Sequence, residues 1–135
     1  MKLAAALLVA FVSLSTVAAG AAEWTPERWK DEDTLQFRTD CPGEPAYWSY
    51  VWVVVLDGQA WVRLGSRAAG RFDCSATKPL TSIRIAGEEF ENVEMVDTPA
   101  MAERVAAAMA EKYSTDLIVR YMTHPYTMKL VPKAP

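Results

Sequence analysis

The sequence predicts a small α+β barrel of five to six mainly antiparallel strands, with one main helix and a short second helix. Three observations lead there. Apolar runs of strand length recur along the chain, each bounded by Gly, Pro or Asp. One pair of runs flanks Asp57-Gly58, the two-residue signature of a tight hairpin. The main helical pattern is inserted late, before only the last strand, and does not alternate with the strands as a parallel sheet would require.

The folded part is expected to begin after a leader. Lys2 is followed by LAAALLVAFVSLSTVAAGAA, a single positive charge, an acid-free apolar stretch and small residues, the layout of a secretory signal peptide. Cleavage is expected after Ala21 or Ala22, leaving residues 1–22 as signal and residues 23–135 as one domain. Ser13, Ser15, Thr16 and Gly20 weaken the stretch as a permanent anchor, so a secreted or periplasmic protein with no stable membrane anchor is expected.

Thr34 to Thr39 reads as the first strand and the CPGEP after it as a turn, since Pro42, Gly43 and Pro45 interrupt a strand. Tyr47 to Leu56 is the second strand and Gln59 to Gly65 the third. Pairing Leu56 with Gln59 sets the register: Val55 with Ala60, Val54 with Trp61, Val53 with Val62, Trp52 with Arg63, Val51 with Leu64. One face then carries Val51, Val53, Val55, Ala60, Val62 and Leu64, sized for a barrel interior. The other carries Tyr50, Trp52, Val54, Leu56, Trp61 and Arg63. A ribbon apolar on both sides needs cover on both. The chain's own helix, a second subunit or a flat ligand are the three candidates.

Ala68 to Pro79 reads as a loop, and Leu80 to Ala86 and Glu88 to Val96 as strands about Gly87. Thr98 is the expected N-cap of the main helix with Pro99 in its first turn, and Met101, Val105, Ala108 and Met109 follow at helical spacing. Ser114 to Tyr121 is the expected second helix, and Tyr126 to Val131 the closing strand.

The net charge is −3, and it loses one more positive charge with Lys2. No overall field draws nucleic acid or an anionic membrane. Cys41 and Cys74 are the two cysteines of an exported chain and are expected to form one disulfide. The basic cluster of Arg63, Arg67 and Arg71, set among Gly65, Ser66 and Gly70, can hold a phosphate by charge and by backbone N–H groups. It is not a nucleotide-triphosphate loop, because Arg71 and Phe72 stand where the lysine and hydroxyl residue belong. No metal-ligand set and no catalytic residue is assigned. His124 precedes a proline in a turn and neither Ser82 nor Ser114 has a nucleophile motif around it, while Glu88, Glu89, Glu91 and Glu94 read as a solvated face.

VWVVVLDGQAWVRLGSRAAGRF, SIRIAG, TPAMAERVAAAMAEKYS and TMKLVP, in that order, resemble a small branch of the pyridoxamine-phosphate-oxidase-like FMN-binding split barrels, over about Trp48 to Pro132. The resemblance implies a split barrel, a homodimer and FMN at the subunit interface. It makes Arg63, Ser66, Arg67 and Arg71 candidates for the FMN phosphate, and Trp52 and Trp61 candidates for ring or interface contact. Asp73 would then stand as a negative charge beside that phosphate. The resulting expectation is a ligand- or partner-binding module; the alternative is an FMN-dependent oxidoreductase.

Overall fold

A computed structural model of the chain describes residues 23–113 and 124–134. The expected leader at 1–22 and the expected helix at 114–121 lie outside the described residues. Six strands close into an antiparallel barrel in the order β1-β2-β3-β6-β5-β4. They are β1 Thr34–Thr39, β2 Tyr47–Leu56, β3 Gln59–Leu64, β4 Leu80–Ile85, β5 Glu88–Asp97 and β6 Tyr126–Pro132. Helix α1, Ser66–Cys74, lies between β3 and β4, and helix α2, Ala102–Lys112, between β5 and β6. This is a small α+β split-barrel-like fold.

The Asp57-Gly58 turn has both residues at positive φ, 53° and 72°, as a two-residue hairpin of this twist needs. It sets the expected register for four pairs, from Leu56↔Gln59 to Val53↔Val62. The two faces of the ribbon then go to different places. Val53, Ala60, Val62 and Leu64 join Leu35, Phe37, Ile83 and Leu130 in the barrel core. Each such fully buried Val, Leu, Ile or Phe side chain contributes about 1.5 to 3 kcal/mol. Val54 and Trp61 on the other face pack beneath α2, against Val105 and Met109. Of the three possible covers, the chain's own helix takes this part of the surface.

Ahead of β1, a 3-10 turn over Pro26–Trp29 delivers Trp29 into the barrel core at 1% exposure. Trp24, Trp29 and Phe90 meet edge to face with centroids 4.9 to 5.5 Å apart, a favoured aromatic geometry.

Three features differ from expectation. The β2–β3 ladder stops at Val53↔Val62, so Trp52 and Val51 do not pair with Arg63 and Leu64. β2 stays with β1 down to Thr39↔Tyr47, whereas Arg63 and Leu64 pair with Thr127 and Tyr126 of β6. The two strands part because each keeps its other neighbour. Second, the segment read as a loop from Ala68 begins in helix α1, because Ala68, Ala69 and Phe72 fall on one helical face turned to the barrel core. Third, Thr98 makes no cap bond: its Oγ donates to the Val96 carbonyl at 3.0 Å, and α2 is entered through a 3-10 turn over Pro99–Met101.

Candidate functional site

The parting of β2 and β3 opens a groove of about 1030 Å³. Along one wall run Tyr47 to Trp52 of β2; along the other lie Arg63, Gly65 and the first turns of α1 with Ser66, Arg67 and Arg71. His124 and Met109 complete it. One side therefore offers rings and a strand edge, and the other offers cations.

The cationic wall follows from local sequence. Gly65 follows β3 and caps the helix, so the N-terminal amides of α1, which have no intrahelical acceptor, lie where Gly65, Ser66, Arg67 and Ala68 line the groove. Arg67 in that first turn is exposed and has no ion pair among the described residues. Arg71 comes one turn later. Its guanidinium lies 3.8 Å over the Tyr47 ring and 3.6 Å from Glu44, so part of its charge is already engaged. Arg63 Nη2 donates to His124 Nδ1 at 2.7 Å. Since a guanidinium only donates, that imidazole nitrogen is the acceptor and the neutral ring carries its proton on Nε2.

The aromatic wall is held from behind. Trp52 stacks on Tyr113 with centroids 4.4 Å apart and planes 13° apart. The Tyr113 hydroxyl is shared by the carbonyls of Val53, at 2.8 Å, and Asp33, at 2.5 Å. Lys112 Nζ donates to the same Val53 carbonyl at 2.9 Å and to the Glu32 carbonyl. Burial lowers the Lys112 pKa, against the opposing pull of Asp33, Asp31 and Glu32. The last turn of α2 thus fixes the ring that faces the groove. Further along β2, Tyr50 is 72% exposed, and Arg84 lies 3.7 Å over the ring of Trp48.

Of the six residues proposed from sequence for a cofactor, five line this groove: Trp52, Arg63, Ser66, Arg67 and Arg71. Trp61 lies elsewhere, 4% exposed beneath α2, with its indole N–H donating to the Leu56 carbonyl at 3.3 Å. Asp73 does not line the groove either. Tyr126 donates to its carboxylate at 2.6 Å, a bond that raises the Tyr126 pKa and turns the acid toward β6. Cys41 and Cys74 are bonded, with Cα atoms 5.1 Å apart. No group of three or more metal-ligating side chains occurs among the described residues, and no described helix is long and apolar enough to cross a membrane.

Sequence reasoning missed the strand edge from Tyr47 to Tyr50 and the place of His124 beside Arg63. The cluster of Tyr47, Trp48 and Tyr50 just before Val51 was the available signal for the first. Nothing local signalled the second, which depends on β3 pairing with β6.

No family model and no curated protein matches the chain. Solved structures share its fold, among them the following two. The heme storage protein HutZ from Vibrio cholerae aligns with a TM-score of 0.55 and 19% identity, over 81% of this chain and 88% of that one. The conserved hypothetical protein Rv2991 from Mycobacterium tuberculosis aligns with a TM-score of 0.57 and 17% identity, over 86% and 84%. At such identities the likeness establishes the architecture: this chain folds as a six-stranded split barrel.

Proposed function

We propose that the protein is an exported ligand-binding split barrel that takes a flat, anionic small molecule in the groove between β2 and α1, working as a homodimer. The observation that carries this reading is the parted seam, which sets three arginines and a helix N-terminus opposite a row of rings. Cations and backbone amides suit a phosphate or carboxylate, and Trp52, braced by Tyr113, suits a planar ring system. Ser49 adds a further group: it lines the groove at 8% exposure, and its hydroxyl has no partner among the described residues. Exposed Tyr47 and Tyr50, on the stretch of β2 that pairs with β1 and has no β3 partner, are surface a second copy would cover.

FMN fits this set better than heme. Arg63, Ser66, Arg67 and Arg71 would hold its phosphate and Trp52 would face its ring; once bound, it would supply electron transfer, which is the oxidoreductase alternative. For heme, His124 is the nearest conventional ligand, and its Nδ1 already accepts a bond from Arg63. HutZ, described as a heme storage protein, keeps heme as the second reading. Protein purified from its own host and titrated with FMN and with hemin decides between them. Flavin absorption and saturable FMN uptake are expected. A Soret band with no FMN uptake selects heme, and uptake of neither removes the ligand proposal. Sedimentation equilibrium should give twice the chain mass; a monomer at micromolar concentration refutes the dimer.

A further inference from the structure

We propose that the Cys41–Cys74 disulfide is a positioning lock on the arginine-bearing helix, so that a dithiol reductant releases α1 and weakens ligand binding while the barrel stays folded. The binding consequence rests on the reading above; the lock itself does not. Helix α1 has little apolar hold, since only Ala69 is buried, with Ala68 and Phe72 half-buried against the barrel core. Its polar ties gather at its C-terminal end. Cys74 is bonded to Cys41, Tyr126 reaches the Asp73 carboxylate at 2.6 Å, and Lys78 Nζ reaches the Asp73 carbonyl at 2.7 Å.

The loop opened by Cys41 is the helix's other support. It carries Glu44 and leads to Tyr47, the two groups that hold Arg71. The turn after α1 is tied to the same place: the Asp40 amide donates to Ser75 Oγ at 3.0 Å and the Ala76 amide to the Asp40 carbonyl at 2.9 Å. The disulfide therefore clamps together the two segments between which Arg71 is positioned. None of the barrel's ladders passes through α1. Losing the clamp should loosen the groove wall and spare the strands.

The exchange is balanced. Cys41 is 6% exposed and Cys74 is exposed, so a thiolate of an external dithiol attacks the Cys74 sulfur. The Cys41–Cys74 bond breaks, and Cys41 leaves as a thiolate and takes up a proton. The second thiolate of the reductant then displaces Cys74, which is also protonated, and the reductant closes to its own disulfide. Two electrons pass from the dithiol to the pair.

Hydrogen exchange read by mass spectrometry, on the whole exported chain with and without dithiothreitol, tests the lock. Amides of Ser66–Cys74 should lose roughly tenfold in protection while those of β2 and β3 keep theirs. A Cys41→Ser/Cys74→Ser variant should show the reduced pattern without reductant. FMN, titrated in parallel, should bind about tenfold more weakly after reduction, as follows when the competent arrangement falls to about a tenth of the population. Unchanged protection in α1, or simultaneous loss in α1 and the barrel, overturns the lock. If the oxidised chain takes up no FMN, the ligand reading fails, and the exchange pattern alone then decides the lock.

Discussion

Trp52 and Trp61 are neighbours on one face of a hairpin, yet the structure gives them different work, and Trp61→Phe separates them. Trp61 is 4% exposed and packs against Val54, Val105 and Met109. Phenylalanine removes the indole N–H that reaches the Leu56 carbonyl at 3.3 Å, a loss of about 0.5 to 1.5 kcal/mol. The missing ring leaves a void beneath α2 worth about 1 kcal/mol more. The total is about 2 kcal/mol, which at the usual urea sensitivity of a small domain lowers the unfolding midpoint by roughly 1 M. The transition slope should be unchanged, because the surface exposed on unfolding hardly alters. FMN affinity should also be unchanged, because Trp61 does not line the groove. Trp52→Ala should do the reverse for binding, weakening FMN by about tenfold through the lost ring contact. If Trp61→Phe leaves the midpoint in place, or weakens FMN as Trp52→Ala does, the division of the hairpin into core and site is wrong.

Arg67→Ala combined with Arg71→Ala should weaken FMN binding by about 2 to 5 kcal/mol, with Arg67 the larger share because Arg71 is partly engaged by Glu44 and Tyr47. Unchanged affinity in a fluorescence titration removes the phosphate assignment. Tyr126 has a raised pKa, caused first by its bond to Asp73. The folded state therefore holds this proton more tightly, so the stabilisation is complete below the unfolded tyrosine pKa and is lost as pH rises through the folded one. Ultraviolet titration of tyrosinate should show one late-titrating group that Tyr126→Phe abolishes. Arg104 meets Asp57 at 2.9 Å, with both side chains more than half exposed. Arg104→Ala should change stability by under about 0.5 kcal/mol in urea unfolding.

The strands were legible because their signals are local. Alternation in TLQFRT, the Asp57-Gly58 turn and the two-faced hairpin each carry their own instruction, and the register from Leu56↔Gln59 to Val53↔Val62 follows from the turn alone. What could not be read depends on competition between strands. Whether Trp52 meets Arg63 is decided by the hold of β1 on β2 and of β6 on β3, and β6 lies about 60 to 70 residues away in sequence. Helix α1 was hidden for a different reason: its apolar face is only two alanines and a phenylalanine, interrupted by Gly70, so its helical period is faint. The arginines were identified from composition, and their convergence on one groove needed that helix.

The hairpin that divides the barrel core from the α2 core also governs how freely the sequence can vary. In β5 buried Phe90, Val93 and Met95 are separated by exposed or half-exposed positions, so a saturation scan should find substitutions accepted between intolerant sites. Val53 and Val54 on β2, and Ala60, Trp61 and Val62 on β3, are buried without a break. There the scan should meet a solid block, a wall with rooms on both sides and no outer surface on which change is harmless.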